Sequence, residues 1–187
     1  TKILDNNELM RFLRETDRLP IMWKTLFILL LESGCRIGEC IGLQWRNVDL
    51  DTGCIVIRNN LQCKKDGSSE YYITTPKSGR ERYLYLDPNG KSFSCLKQMR
   101  LDEAYTNTSE YVFHPTGRQH LSSSAPYVRL KSLGKQIGVR NLHPHMLRHT
   151  MASFSIQSGV GLATIKQKRG HCSPPITTKR YLHTSKC

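Results

Sequence analysis

Residues Ile21 to Ser33 read as a helix that is apolar almost all round, with Leu26-Phe27-Ile28-Leu29-Leu30-Leu31 at its centre. A helix with one polar face can lie on a surface, but one without a polar face has to be enclosed by other elements. The run is far short of the ~20 residues that a membrane span needs, so the enclosure has to be protein. Gly34 ends this helix, as glycine commonly does, and Arg36 follows in the turn before a short helix at about Gly38 to Gly42. A cation placed directly after a buried helix stands on a rigid base.

The rest of the chain supplies the enclosure. A helix is expected from about Asn6 to Glu15, capped by Asp5 or Asn6, with Leu9, Phe12 and Leu13 as its apolar stripe. The period then changes: Cys54-Ile55-Val56-Ile57, Tyr71 to Thr75 and Glu81 to Leu86 are rich in β-branched and aromatic residues and read as strands. Pro76-Lys77-Ser78-Gly79-Arg80 between the last two reads as a hairpin turn, with Lys77 near its tip. Helical patterns return at Phe93 to Glu103, Ala125 to Gly138, His145 to Gln157, Leu162 to Lys168 and Thr177 to Leu182. Helices, a small antiparallel sheet, then helices again make the expected class mainly α with a small sheet on one edge, α+β. No repeat or linker divides the 187 residues, which suffice for one domain with a core of its own.

Charge narrows the partners. Lys and Arg number 28 against 15 Asp and Glu, a formal charge of +13 with a pI near 9.6. Such an excess attracts a polyanion, most often nucleic acid. Seven cysteines, at 35, 40, 54, 63, 95, 172 and 187, form no C-x-x-C pair, which fits neither a disulfide framework nor a zinc ribbon. Thr1 to Glu15 is polar and amphipathic rather than a signal segment, so a cytoplasmic place with reduced thiols is expected.

The chemistry is concentrated in His143-Pro144-His145-Met146-Leu147-Arg148-His149-Thr150. His145 and Arg148, three apart, share one face of a helix. One can move a proton near neutral pH, and the other is a permanent planar cation that can bridge two phosphate oxygens. Arg36, Lys77, His171 and Tyr181 complete a set able to cut a phosphodiester without a metal. Arginines neutralise the charge that builds on the non-bridging oxygens, with His171 as a further donor. Tyr181 is the natural nucleophile, His145 can accept its proton, and Lys77 can protonate the leaving oxygen.

Gly34-Cys35-Arg36-Ile37-Gly38-Glu39, Lys77 in its turn, His145-x-x-Arg148, Gly170-His171 and Tyr181 ten residues on closely resemble, in order and spacing, the tyrosine recombinase (phage integrase) family. The resemblance covers essentially the whole chain. It implies the catalytic-domain fold of that family and metal-free strand exchange at double-stranded recombination sites, through a 3′-phosphotyrosyl intermediate that frees a 5′-hydroxyl. It implies Arg36, Lys77, His145, Arg148 and His171 as activating groups, Tyr181 as nucleophile and Glu39 as a brace for an arginine or histidine. No cofactor and no metal are implied. A tetramer on DNA, accessory DNA-bending proteins and a bacterial, DNA-associated setting are implied too, in a phage or other mobile element. The family's upstream DNA-clamping domain is expected to be absent from this chain, leaving 1–187 as a single catalytic domain.

Three features depart from the family pattern: Arg169 where an apolar residue usually precedes Gly-His, Pro174-Pro175 on the approach to Tyr181, and the close of the sequence six residues after Tyr181, at Cys187. A type IB topoisomerase would share the covalent tyrosine chemistry without exchanging partners. A metal-dependent nuclease could use His143, His145 and His149, and a DNA-binding module could keep the fold without the reaction.

Overall fold

The computed structural model describes residues 2–64, 70–75, 81–106 and 109–157. Helix α1 spans Asn6–Thr16, α2 Ile21–Ser33 and α3 Ile37–Ile41. A 3-10 turn at Trp45–Asn47 leads into strands β1 (Val48–Asp49), β2 (Cys54–Ile57), β3 (Asn60–Cys63), β4 (Tyr71–Thr74) and β5 (Arg82–Tyr85). Helices α4 (Lys91–Leu101), α5 (Glu103–Thr106), α6 (Ala125–Ile137) and α7 (Pro144–Gln157) follow.

The enclosure of α2 is as its composition requires. Met22, Thr25, Leu26, Phe27, Ile28, Leu29 and Leu30 are all buried, and the helix packs against α1, α3, α4 and α7. Each fully buried Leu, Ile or Phe side chain contributes about 1.5–3 kcal/mol relative to exposure, so α2 is the main organiser of the core. No helix among the described residues is long and apolar enough to cross a membrane.

The ends of the helices follow local chemistry. Asp5 caps α1 by accepting from the Glu8 N–H at 2.7 Å, while the Glu8 carboxylate accepts from the Asp5 N–H at 3.1 Å. Pro144 opens α7, where a missing N–H costs nothing. Thr150 on α7 accepts from the Leu4 N–H at 3.0 Å and so ties the start of the chain to that helix.

The expected single sheet is two. β1, β2 and β5 form one antiparallel sheet in the order β1-β2-β5, and β3 and β4 form another. The strands at Tyr71–Thr74 and Arg82–Tyr85 therefore pair with different partners rather than with each other, which corrects the expected hairpin around residues 76–80. The cause is β3, which sequence reading misses: Asn60-Leu61-Gln62-Cys63 contains no β-branched or aromatic residue. It forms a strand because Leu61 is buried and α3 lies across it. That contact depends on Gly38, since a Cβ there would stand 2.2 Å from Asn60 Oδ1 and 2.9 Å from the Leu61 carbonyl oxygen. The expected helices at Leu162 to Lys168 and Thr177 to Leu182 lie outside the described residues.

Candidate active site

Arg36 sits where α2 hands over to α3. Gly34 takes φ 63°, a left-handed conformation that turns the chain sharply, and its N–H closes α2 on the Leu30 carbonyl at 3.0 Å. Arg36 is then the N-cap of α3, held by its N–H donating to Glu39 Oε2 at 2.8 Å. Its guanidinium Nη1 donates to Glu39 Oε1 at 3.2 Å, and the side chain keeps 36% of its surface exposed.

Arg148 enters from α7. Its side chain is buried, and Nη1 donates to the Gly34 carbonyl oxygen, two residues before Arg36. The Cγ of Arg148 and the methyl of Met151 lie over the Cα of Gly34, where a Cβ would meet Met151 at 2.1 Å. The turn that carries Arg36 and the helix that carries Arg148 are thus locked together. Two arginines that sequence places 112 positions apart are tied to one turn.

His145 stands one turn before Arg148 on α7 and is exposed. Burial of part of the ring holds its pKa below the ordinary 6.5, and the charges of His143, Arg148, His149 and Arg36 push the same way. That Arg36 and Arg148 both act on this ring places the three groups in one electrostatic neighbourhood. The ring of His143 lies edge-on at 6.5 Å, and its Nδ1 is 2.6 Å from the Asn141 carbonyl oxygen, so Nδ1 carries the proton there. A base held neutral by cations keeps its capacity as the medium acidifies. If His145 is the base, the acid limb of kcat/KM for DNA cleavage, which reports the free protein, falls below pH 6.5. A limb above that value, or one unchanged in His145→Asn, removes His145 from the role.

Glu39 is fully buried and accepts from both the backbone and the side chain of Arg36, and it has a further partner that sequence reading missed. Arg82 on β5 donates from Nη1 to Glu39 Oε1 at 2.6 Å and from Nη2 to Glu39 Oε2, with 2% of its side chain exposed. Burial alone would raise the Glu39 pKa; the Arg82 fork, aided by the Arg36 N–H and charge, outweighs it and holds the carboxyl below its ordinary value. Arg82 Nη2 also lies 3.5 Å from Cys35 Sγ. Removing one partner of such a buried pair costs about 3–5 kcal/mol, because the other charge is stranded. The signal was present in the strand: Arg82, Leu84 and Leu86 share the buried phase, and Tyr83 and Tyr85 the exposed one.

Arg36, Glu39, His145 and Arg148 are therefore brought together as expected. Lys77, His171 and Tyr181 lie outside the described residues, as do Arg169 and Pro174-Pro175. Among the described residues no cluster of three or more His, Cys, Asp or Glu side chains is arranged to hold a metal, His143, His145 and His149 included.

Comparison with known proteins places the chain in a family. The model of the phage integrase family matches residues 2–187. Tyrosine recombinase XerC of Xylella fastidiosa is 30% identical over 186 residues, covering 97% of this chain and 56% of that protein. XerC of Xanthomonas axonopodis pv. citri is 27% identical, over 97% of this chain and 54% of its own length, and XerA of Saccharolobus solfataricus is 28% identical, over 97% and 52%. The chain thus spans about half the length of the curated relatives it matches. Among solved structures, the Tn1549 transposon integrase in complex with a circular intermediate DNA superposes with a TM-score of 0.77 at 16% identity, over 92% of this chain and 58% of that one. The XerA recombinase gives 0.71 at 23% identity, over 92% and 57%. With the match running from end to end, the chain belongs to the phage integrase family.

Proposed function

We propose that this chain is the catalytic domain of a site-specific DNA recombinase that cuts and rejoins double-stranded DNA through a 3′-phosphotyrosyl intermediate, without a metal. The observation that carries the reading is the pinning of Arg148 to the carbonyl of Gly34, two residues before Arg36, with His145 one turn earlier on the same helix. Two guanidinium groups fixed in advance on buried elements can meet the charge that develops on a scissile phosphate with little reorganisation.

In this reading Tyr181 attacks the phosphorus, its proton passes to His145, and the 5′ oxygen leaves with a proton from Lys77. Arg36, Arg148 and His171 hold the non-bridging oxygens, and Glu39 braces Arg36. The surplus of +13 draws in the DNA backbone. Recombination as a whole needs two duplexes, so a tetramer on DNA, with accessory DNA-bending proteins and a bacterial DNA-associated setting, belongs to the same proposal.

The direct test is incubation with nicked recombination-site DNA in excess chelator. A covalent protein–DNA product linked at a 3′-phosphate supports the reading; cleavage only with added metal returns the nuclease alternative. Relaxation of supercoiled DNA without joining of two sites would select the topoisomerase alternative.

Lys77 is tested by its substrate. If it protonates the leaving oxygen, Lys77→Ala loses cleavage of ordinary DNA but cuts a substrate with a bridging 5′-sulfur at nearly the wild-type rate, because a thiolate leaves unprotonated. Equal losses on both substrates make Lys77 a phosphate-binding cation and nothing more.

A further inference from the structure

We propose that Arg82 is a positioning residue: by occupying the Glu39 carboxylate it leaves the Arg36 guanidinium available to a DNA phosphate. The inference rests on the proposed role of Arg36 but concerns a residue that the family resemblance did not single out.

The carboxylate of Glu39 receives four donors. Oε1 accepts from Arg82 Nη1 at 2.6 Å and from Arg36 Nη1 at 3.2 Å, while Oε2 accepts from Arg82 Nη2 and from the Arg36 N–H at 2.8 Å. The Arg82 fork faces both oxygens, so it takes the bidentate geometry that an arginine and a carboxylate prefer. The Arg36 side chain is left with the longer, single contact. It is also the exposed one of the two, at 36% against 2%.

The pairing has a structural logic. Glu39 is fully buried, and a buried carboxylate takes whatever cation it can reach. Without Arg82, the cation left paired with Glu39 among the described residues would be Arg36, three residues away on the same turn. The thiols of Cys35 and Cys40 feel the charge of this carboxylate, but neither offers a compensating positive charge. Glu39 would then draw the Arg36 fork inward, away from solvent and from any phosphate that approaches there. Arg82 prevents this from β5, the strand that begins five residues after Lys77. The Nε of Arg82 is buried without a hydrogen-bond partner among the described residues, which fits a side chain placed for its terminal fork.

Three variants separate positioning from simple stability. Arg82→Met should cut DNA on the order of 10²-fold more slowly under saturation, as loss of an oxyanion donor does, with DNA affinity changed less than about threefold. The double variant Arg82→Met/Glu39→Gln removes the competing charge, so its rate should recover at least tenfold over Arg82→Met. Where Arg82→Met fails to fold, Arg82→Gln serves in its place with the same expected slowing, since it keeps a hydrogen-bond donor for Glu39 but removes the competing charge and its fork. A purely structural role predicts lower thermal stability, an unchanged rate per folded molecule and no recovery in the double variant; any of the last two overturns the proposal. A crystal structure of the single variant is readable whether or not the wild-type chain cleaves DNA. Glu39 bidentate on Arg36 supports the inference, and Arg36 in its present place refutes it. Absence of cleavage by the wild-type chain, by contrast, counts against the proposed function alone.

Discussion

Tyr181→Phe should abolish covalent attachment to DNA and leave DNA binding within a few-fold of the wild type. The substitution removes one oxygen. Binding to a duplex is dominated by many cation–phosphate contacts, and a protein with a surplus of +13 loses none of them in this variant. Covalent chemistry has no second route, because phenylalanine offers no nucleophile. The expected effect is therefore complete loss in one assay and near-silence in the other. The competing tyrosines are distinguishable by their surroundings. Burial pushes the hydroxyls of Tyr105 and Tyr111 above the ordinary value, which makes them poorer nucleophiles near neutral pH. Tyr127 on α6 is exposed and is the fairest control. Peptide mapping of trapped DNA that finds Tyr127 rather than Tyr181, or covalent product surviving in Tyr181→Phe, ends the assignment.

How much of this was legible in the sequence depended on the kind of signal. Helix α2 was readable to the residue because an all-apolar run closed by Gly34 admits one interpretation. Helix α7 was found from His145 onward; its start at Pro144 follows from the proline rule, which the apolar pattern alone does not express. Strand β3 was invisible because its pairing with β4 and its contact with α3 are tertiary facts, and Asn60-Leu61-Gln62-Cys63 has no strand preference of its own. That one omission turned two sheets into one and misassigned the partner of β4. The site divides in the same way. Arg36 and the His145-x-x-Arg148 pair are sequence-local patterns, whereas the Arg82–Glu39 pair joins residues 43 apart and needs the sheet to bring them together. Alternation along β5 did hold a clue, since a charged residue in phase with Leu84 and Leu86 has to find a buried partner.

Arg148→Ala should cost on the order of 10²–10³ in single-turnover cleavage rate, as loss of one preorganised oxyanion donor does elsewhere. The structure explains why the loss should be that large here. Arg148 is buried to all but 9% and anchored on the Gly34 carbonyl, so its position is set before DNA arrives. A donor fixed in advance contributes in the transition state without being reorganised, whereas a mobile surface cation is worth little. The same anchoring predicts a second, separable effect: without the guanidinium the buried Gly34 carbonyl loses this partner, at a cost of about 1–3 kcal/mol in stability. Thermal melting reads that effect, and rates are then compared per folded molecule. Equilibrium DNA affinity should change far less than the rate, since one phosphate contact among many is lost. Arg148→Lys should recover little, because an ammonium is a point charge and cannot both hold the Gly34 carbonyl and present a planar fork to two oxygens. A variant that binds tenfold more weakly yet cleaves at the wild-type rate under saturation would show that Arg148 serves binding, and the transition-state role would pass to Arg36 and His171.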